Sequence, residues 1–133
     1  MKKILICGAG GFIGGHLAKH FLDQENCELI CADIKPLESW FQLFEKNTNY
    51  SFDLKDYNSC LKVTKNVDYI FNMACNMGGM GFIENNKAEC MQSVLINTNL
   101  LISCKESGVK RYFFHLVHAP ITKQNNKKYL LRA

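Results

Sequence analysis

Several features are missing from this 133-residue chain, and each absence removes a class of protein. It has no Cys-x-x-Cys pair and no cysteine–histidine cluster with metal-ligand spacing, which excludes the common zinc sites. Its seven cysteines are an odd number, scattered along the chain, and suit a reducing compartment better than a disulfide scaffold. No apolar run approaches the roughly 20 residues that span a bilayer, so no membrane partner is expected. The run Ile4–Cys7 is too short for a signal-peptide core, and the expected location is cytoplasmic. Internal repeats and low-complexity linkers are absent too. Acidic residues are missing after Pro120, where Lys123, Lys127, Lys128 and Arg132 account for the net charge of +4. The body before Pro120 is therefore balanced in charge, and no nucleic-acid footprint is expected.

What is present is an ordinary soluble composition, 47% apolar and 21% charged, in a length that suits one domain. The informative stretch is Ile4-Leu5-Ile6-Cys7-Gly8-Ala9-Gly10-Gly11-Phe12-Ile13-Gly14. An apolar strand runs into glycines at 8, 11 and 14, and a helical apolar period (Ile13, Leu17, Phe21) starts inside the glycine run. This is the strand, tight turn and helix start of a dinucleotide-binding unit, with phosphate expected on the free N–H groups of the helix start. A second apolar strand, Glu28–Ala32, ends at Asp33. A carboxylate there accepts hydrogen bonds from the adenosine ribose hydroxyls and repels a 2′-phosphate, so NAD is favoured over NADP.

The chain then alternates. Pro36–Lys46 carries apolar and aromatic residues at helical spacing and reads as core packing. Tyr50–Phe52 is a short strand ending at Asp53-Leu54. Asp56 caps a helix over Tyr57–Thr64, with Leu61 and either Thr64 or Val63 facing inward. Tyr69–Ala74 is a fourth strand, Lys87–Ser107 a long helix closed by Gly108, and Val109–Phe114 a turn and fifth strand. Nearly all-apolar strands alternating with helices predict a doubly wound parallel sheet of about five strands, covered on both faces. Residues 1–118 read as an incomplete dinucleotide-binding Rossmann domain and 119–133 as a basic, disordered tail.

The glycine loop, Asp33, Asp53-Leu54 and Asn72-Met73-Ala74 together resemble the extended short-chain dehydrogenase/reductase superfamily, over about residues 2–114. Within it, Asn72-Met73-Ala74-Cys75-Asn76-Met77-Gly78-Gly79-Met80-Gly81-Phe82-Ile83 is similar to the GDP-mannose 3,5-epimerases, whose loop also reads Met-Gly-Gly-Met-Gly-Phe-Ile. The resemblance implies NAD as cofactor, held at Gly8, Gly11, Phe12, Ile13, Gly14, Asp33, Asp53, Leu54 and Ala74. It also implies a GDP-mannose-type nucleotide sugar lined by Gly78, Gly79 and Met80, and 3,5-epimerisation through a transient 4-keto sugar. A homodimer is a further possible partner arrangement.

The chain departs from that pattern in three places. Cys75-Asn76 replaces Ala-Asp, and Ser93 stands where related enzymes often carry asparagine. The resemblance also implies a Ser-Ser-Ala-Cys run after the fifth strand and a later Tyr-x-x-x-Lys pair. Here His115-Leu116-Val117-His118 follows Phe114, and Tyr129 is followed at the lysine position by Ala133. No catalytic residue is therefore assigned. Reading His115–Pro120 one base on allows Ser-Ser-Ala-Cys, so the tail is expected to arise from a frame slip. Two alternatives stay open: another nucleotide-sugar enzyme such as a GDP-fucose synthase-like one, or a non-catalytic NAD-binding fragment.

Overall fold

The computed structural model describes residues 1–76, 82 and 85–114. In chain order these build β1 (Lys2–Cys7), α1 (Phe12–Leu22), β2 (Cys27–Asp33), a 3-10 turn (Leu37–Ser39), β3 (Thr48–Ser51), α2 (Tyr57–Thr64), β4 (Tyr69–Asn72), α3 (Lys87–Ser107) and β5 (Arg111–Phe114). The sheet order is β3-β2-β1-β4-β5, and every pairing is parallel. The expected doubly wound α/β sheet of five strands is thus the observed one.

The apolar runs follow from burial on both faces. In β1, Leu5 and Cys7 point into one core while Ile4 and Ile6 point into the other. In β2, Ile30 and Ala32 join the first core and Leu29 and Cys31 the second. A strand covered on both sides has no solvent face on which polar residues could alternate. Helices α2 and α3 close the first core through Cys60, Val63, Leu100 and Cys104, and α1 closes the second through Ala18, with Trp40 beside it.

Local signals set the element ends. The Asp56 carboxylate accepts the Ser59 backbone N–H at 2.9 Å, which caps α2 as expected. Gly108 ends α3 in the left-handed region at φ 70°, with its N–H returned to the Cys104 carbonyl. Two sequence expectations are corrected. Pro36–Lys46 packs on the second core through Leu37, Trp40 and Phe44, as expected, but its helical spacing yields only the three-residue 3-10 turn, and Phe41 and Leu43 are exposed. Pro36 and the bonds described below hold this segment over the glycine loop, which overrides its helical period. The inward residues of α2 are Cys60, Val63 and Thr64, while Leu61 is only half-buried. Val63 and Thr64 face inward as expected, and Cys60 takes the place expected of Leu61.

Strand order reverses at β1: β2 and β3 lie on one side, β4 and β5 on the other. The carboxyl ends come level there, with Cys7 paired to Ala32 and to Asn72. Such a switch point leaves a crevice beyond the strand ends, where open α/β sheets bind ligands.

Candidate functional site

The crevice is a cleft of about 340 Å³, near the lower end of ordinary ligand sites. Gly8 forms its floor. The Gly8 backbone has φ +79°, and a Cβ there would lie 2.7 Å from the Met73 carbonyl and the Ala74 nitrogen. Both the turn and the approach of β4 therefore demand glycine. The Gly8 and Ala9 N–H groups donate to the Ala32 carbonyl at 2.8 and 3.2 Å, which ties the turn to β2.

Gly11 is the N-cap residue of α1, and no side chain caps the helix or places an acidic group in its first turn. The positive end of α1 is therefore left available to an anion. A Cβ on Gly11 would meet only the Gly8 carbonyl, at 3.4 Å, so the space above it is open towards the cleft. Gly14 has a different setting. It is buried, and its Cβ would fall 2.1 Å from the Gly8 carbonyl oxygen, so its part is to let α1 lie against the turn. Phe12 and Ile13 are 64% and 65% exposed at the helix start and do not line the cleft; only their backbone can serve a phosphate.

Asp33 is 8% exposed at the end of β2. Its Oδ2 accepts the Gly10 N–H at 2.9 Å and its Oδ1 the Lys35 N–H at 3.0 Å, which leaves one lone pair on each oxygen. The carboxylate is thus aimed by the glycine loop itself. The segment after β2 clamps the same loop from outside: the Phe41 N–H donates to the Gly10 carbonyl at 3.1 Å, and the Trp40 indole N–H to the Lys35 carbonyl at 3.0 Å. A Cβ on Gly10 would meet Trp40 at 2.8 Å and the Asp33 carboxyl carbon at 3.0 Å.

Asp53 and Leu54 line the far side of the cleft. Asp53 accepts the Lys55 N–H at 2.9 Å and pairs with the Lys55 ammonium at 3.6 Å, which in turn donates to Gln92 of α3 at 3.4 Å. Leu54 is buried, and its carbonyl accepts the Cys60 thiol proton. Ala74 lies opposite, with its N–H held at 3.0 Å by Asn72 Oδ1. The Asn72 amide donates to the Tyr112 hydroxyl at 2.9 Å, and Tyr112 donates to Asn97 Oδ1 at 2.6 Å. Burial pushes the Tyr112 hydroxyl well above its usual pKa, so it stays a donor. This chain of bonds ties the turn after β4 to β5 and α3. Ser93, one of the departures, accepts the Asn76 N–H at 3.1 Å and so anchors the cleft wall.

The structure therefore gathers Gly8, Gly11, Asp33, Asp53, Leu54 and Ala74 around one cleft and sets Phe12, Ile13 and Gly14 beside it. Gly78, Gly79 and Met80 lie outside the described residues, as do His115–Ala133. Sequence reasoning missed Gly10, Lys35, Trp40, Lys55 and Gln92. Only Gly10 carried a signal, as the middle glycine of the loop.

Residues 4–119 match the NAD dependent epimerase/dehydratase family. The chain belongs to that family. It is 41% identical over 113 residues to GDP-mannose 3,5-epimerase 1 of Oryza sativa subsp. indica, and 39% identical over the same length to GDP-mannose 3,5-epimerase of Arabidopsis thaliana. Each alignment covers 84% of this chain and 30% of the relative, so the chain spans under a third of the length of these family members. Among solved structures, MoeE5 in complex with UDP-glucose and NAD superposes with a TM-score of 0.70 at 23% identity, covering 84% of this chain and 35% of that one. That likeness shows a shared fold.

Proposed function

We propose that this chain is the NAD-binding portion of a nucleotide-sugar epimerase that acts on a GDP-mannose-type substrate. The observation that carries the cofactor part is the Asp33 carboxylate, buried, aimed by Gly10 and Lys35, and lining the same cleft as the glycine turn to which it is bonded. The fit of a dinucleotide is supported by the open space above Gly11 and the uncapped start of α1. In this reading Asp33 takes the ribose hydroxyls, the backbone N–H groups of Phe12 and Ile13 take the pyrophosphate over Gly11, whose own N–H is spent on the Gly8 carbonyl, and Asp53 and Leu54 frame the adenine. NAD, when bound, supplies a hydride acceptor and donor for the sugar. Ala74 and its neighbours close the cleft on the sugar side, with Gly78, Gly79 and Met80 as the substrate loop. Identity to the plant epimerases supports 3,5-epimerisation through a 4-keto sugar as the family reaction.

A homodimer belongs to the same reading, supported by Met91, Val94, Leu95 and Ile102, which leave α3 with exposed apolar side chains. Among the described residues no helix is long and apolar enough to cross a membrane. The seven thiols, all free, support a reducing, cytoplasmic setting. The non-catalytic alternative is supported by His115-Leu116-Val117-His118, which stands where the resemblance implies a Ser-Ser-Ala-Cys run. Titration with NAD, followed by incubation with GDP-mannose in deuterium oxide, separates the readings. NAD binding that is lost in Asp33→Ala supports the cofactor site, and unchanged NAD affinity in that variant refutes it. Deuterium entering C3 or C5 of the sugar would refute the assignment of this chain as non-catalytic on its own.

A further inference from the structure

The side chain of Lys35 lines the cleft beside Asp33, and its ammonium lies 3.4 Å from the Gly10 carbonyl. Asp33 and Lys35 therefore hold opposite ends of one residue: the carboxylate takes the Gly10 N–H and the ammonium faces the Gly10 C=O. Among the described residues no carboxylate lies within ion-pairing distance of the Lys35 ammonium, and the carbonyl engages only one of its three donors. The Asp33 charge is meanwhile spread over two backbone hydrogen bonds.

Building on the cofactor reading above, we infer that Lys35 is a specificity-determining residue that lets this site take NADP as a weaker second cofactor. A 2′-phosphate is the one group of NADP that NAD lacks, and it would enter beside Asp33 with a charge of about −1.5 to −2 at neutral pH. Asp33 opposes it. Lys35 supplies the compensating charge at the same edge of the ribose, and an ammonium acts there as a point charge that needs no fixed geometry. The compensation is partial, because Lys35 is exposed and its attraction is screened.

The test measures NAD and NADP affinities of the unmodified chain, Lys35→Gln and Lys35→Glu at low salt and at about 0.5 M salt. Lys35→Gln keeps a polar side chain and removes the charge. It should weaken NADP by about 3–10-fold more than it weakens NAD, a difference that shrinks at high salt. Lys35→Glu should weaken NADP further. Equal losses for both dinucleotides, or an unchanged NADP affinity in Lys35→Gln, would overturn the inference while leaving the NAD site intact. Failure of the unmodified chain to bind either dinucleotide would instead overturn the cofactor reading, and this inference with it.

Discussion

Adjacent glycines in α1 should respond to alanine with opposite signs. At Gly14 the new methyl would lie 2.1 Å from the Gly8 carbonyl oxygen and 2.9 Å from Ala9 Cα. That is about 1.3 Å short of ordinary contact, and both neighbours are backbone in a close-packed turn, so no side-chain rotation relieves it. The helix must retreat, and overpacking of this kind costs about 1–3 kcal/mol, or more where backbone has to shift. A displacement near 1 Å also moves the N–H groups at the start of α1, so NAD affinity should fall by an order of magnitude or more. At Gly15 the methyl would meet Gln42 Cβ at 3.5 Å and the Ala9 carbonyl at 3.6 Å, both ordinary distances. Alanine there gains helix propensity and loses unfolded-state entropy, for a stabilisation of about 0.4–1 kcal/mol. Urea unfolding followed by circular dichroism reads both: the midpoint should drop for Gly14→Ala and rise for Gly15→Ala at constant slope. Equal shifts, or a Gly14→Ala midpoint within error of the unmodified chain, would refute the close helix–turn contact.

Other expectations follow from the same geometry. Tyr112→Phe removes the hydroxyl between Asn72 and Asn97 and should destabilise by about 1–3 kcal/mol; Asn97→Ala in the same background should then cost less than it does alone, and strictly additive losses would exclude the network. Burial raises the thiols of Cys31 and Cys60 from 9.0 to about 12 and that of Cys104 to about 11. Their neutral forms stabilise the fold fully below pH 9, and this contribution is lost as pH rises towards those values, because the unfolded thiols ionise first. Unfolding midpoints measured from pH 8 to 11 should fall steadily above 9; a flat profile would argue against buried thiols. The Asp56 carboxylate is held below the usual carboxylate range by its bonds to Ser59. Asp56→Ala should lower the urea midpoint at pH 7, with the difference disappearing as the pH falls through the folded pKa of Asp56; a persistent gap at pH 2 would point to another cause.

The sequence alone determined the sheet, its helices and most of the residues that meet at the cleft, because those rest on local signals. A strand buried on both faces is apolar throughout, as Ile4–Cys7 and Leu29–Ala32 are. An Asp56 cap and a Gly108 terminus are short-range chemistry. The glycines at 8 and 14 stand where backbone comes too close for a side chain, and Gly11 where the space beside the cleft is open. Pro36–Lys46 shows where that reasoning stops. Its apolar spacing fits a helix, yet the bonds that hold it, from Phe41 to Gly10 and from Trp40 to Lys35, depend on how β1 and β2 lie side by side. The same holds for Lys35 and Gln92, polar residues with no distinctive spacing until the fold brings one against Gly10 and the other against Lys55. The Asn72–Tyr112–Asn97 bonds join residues up to 40 positions apart. Periodicity reports what a segment can bury, whereas partners distant in the chain decide which face it buries and what it clamps.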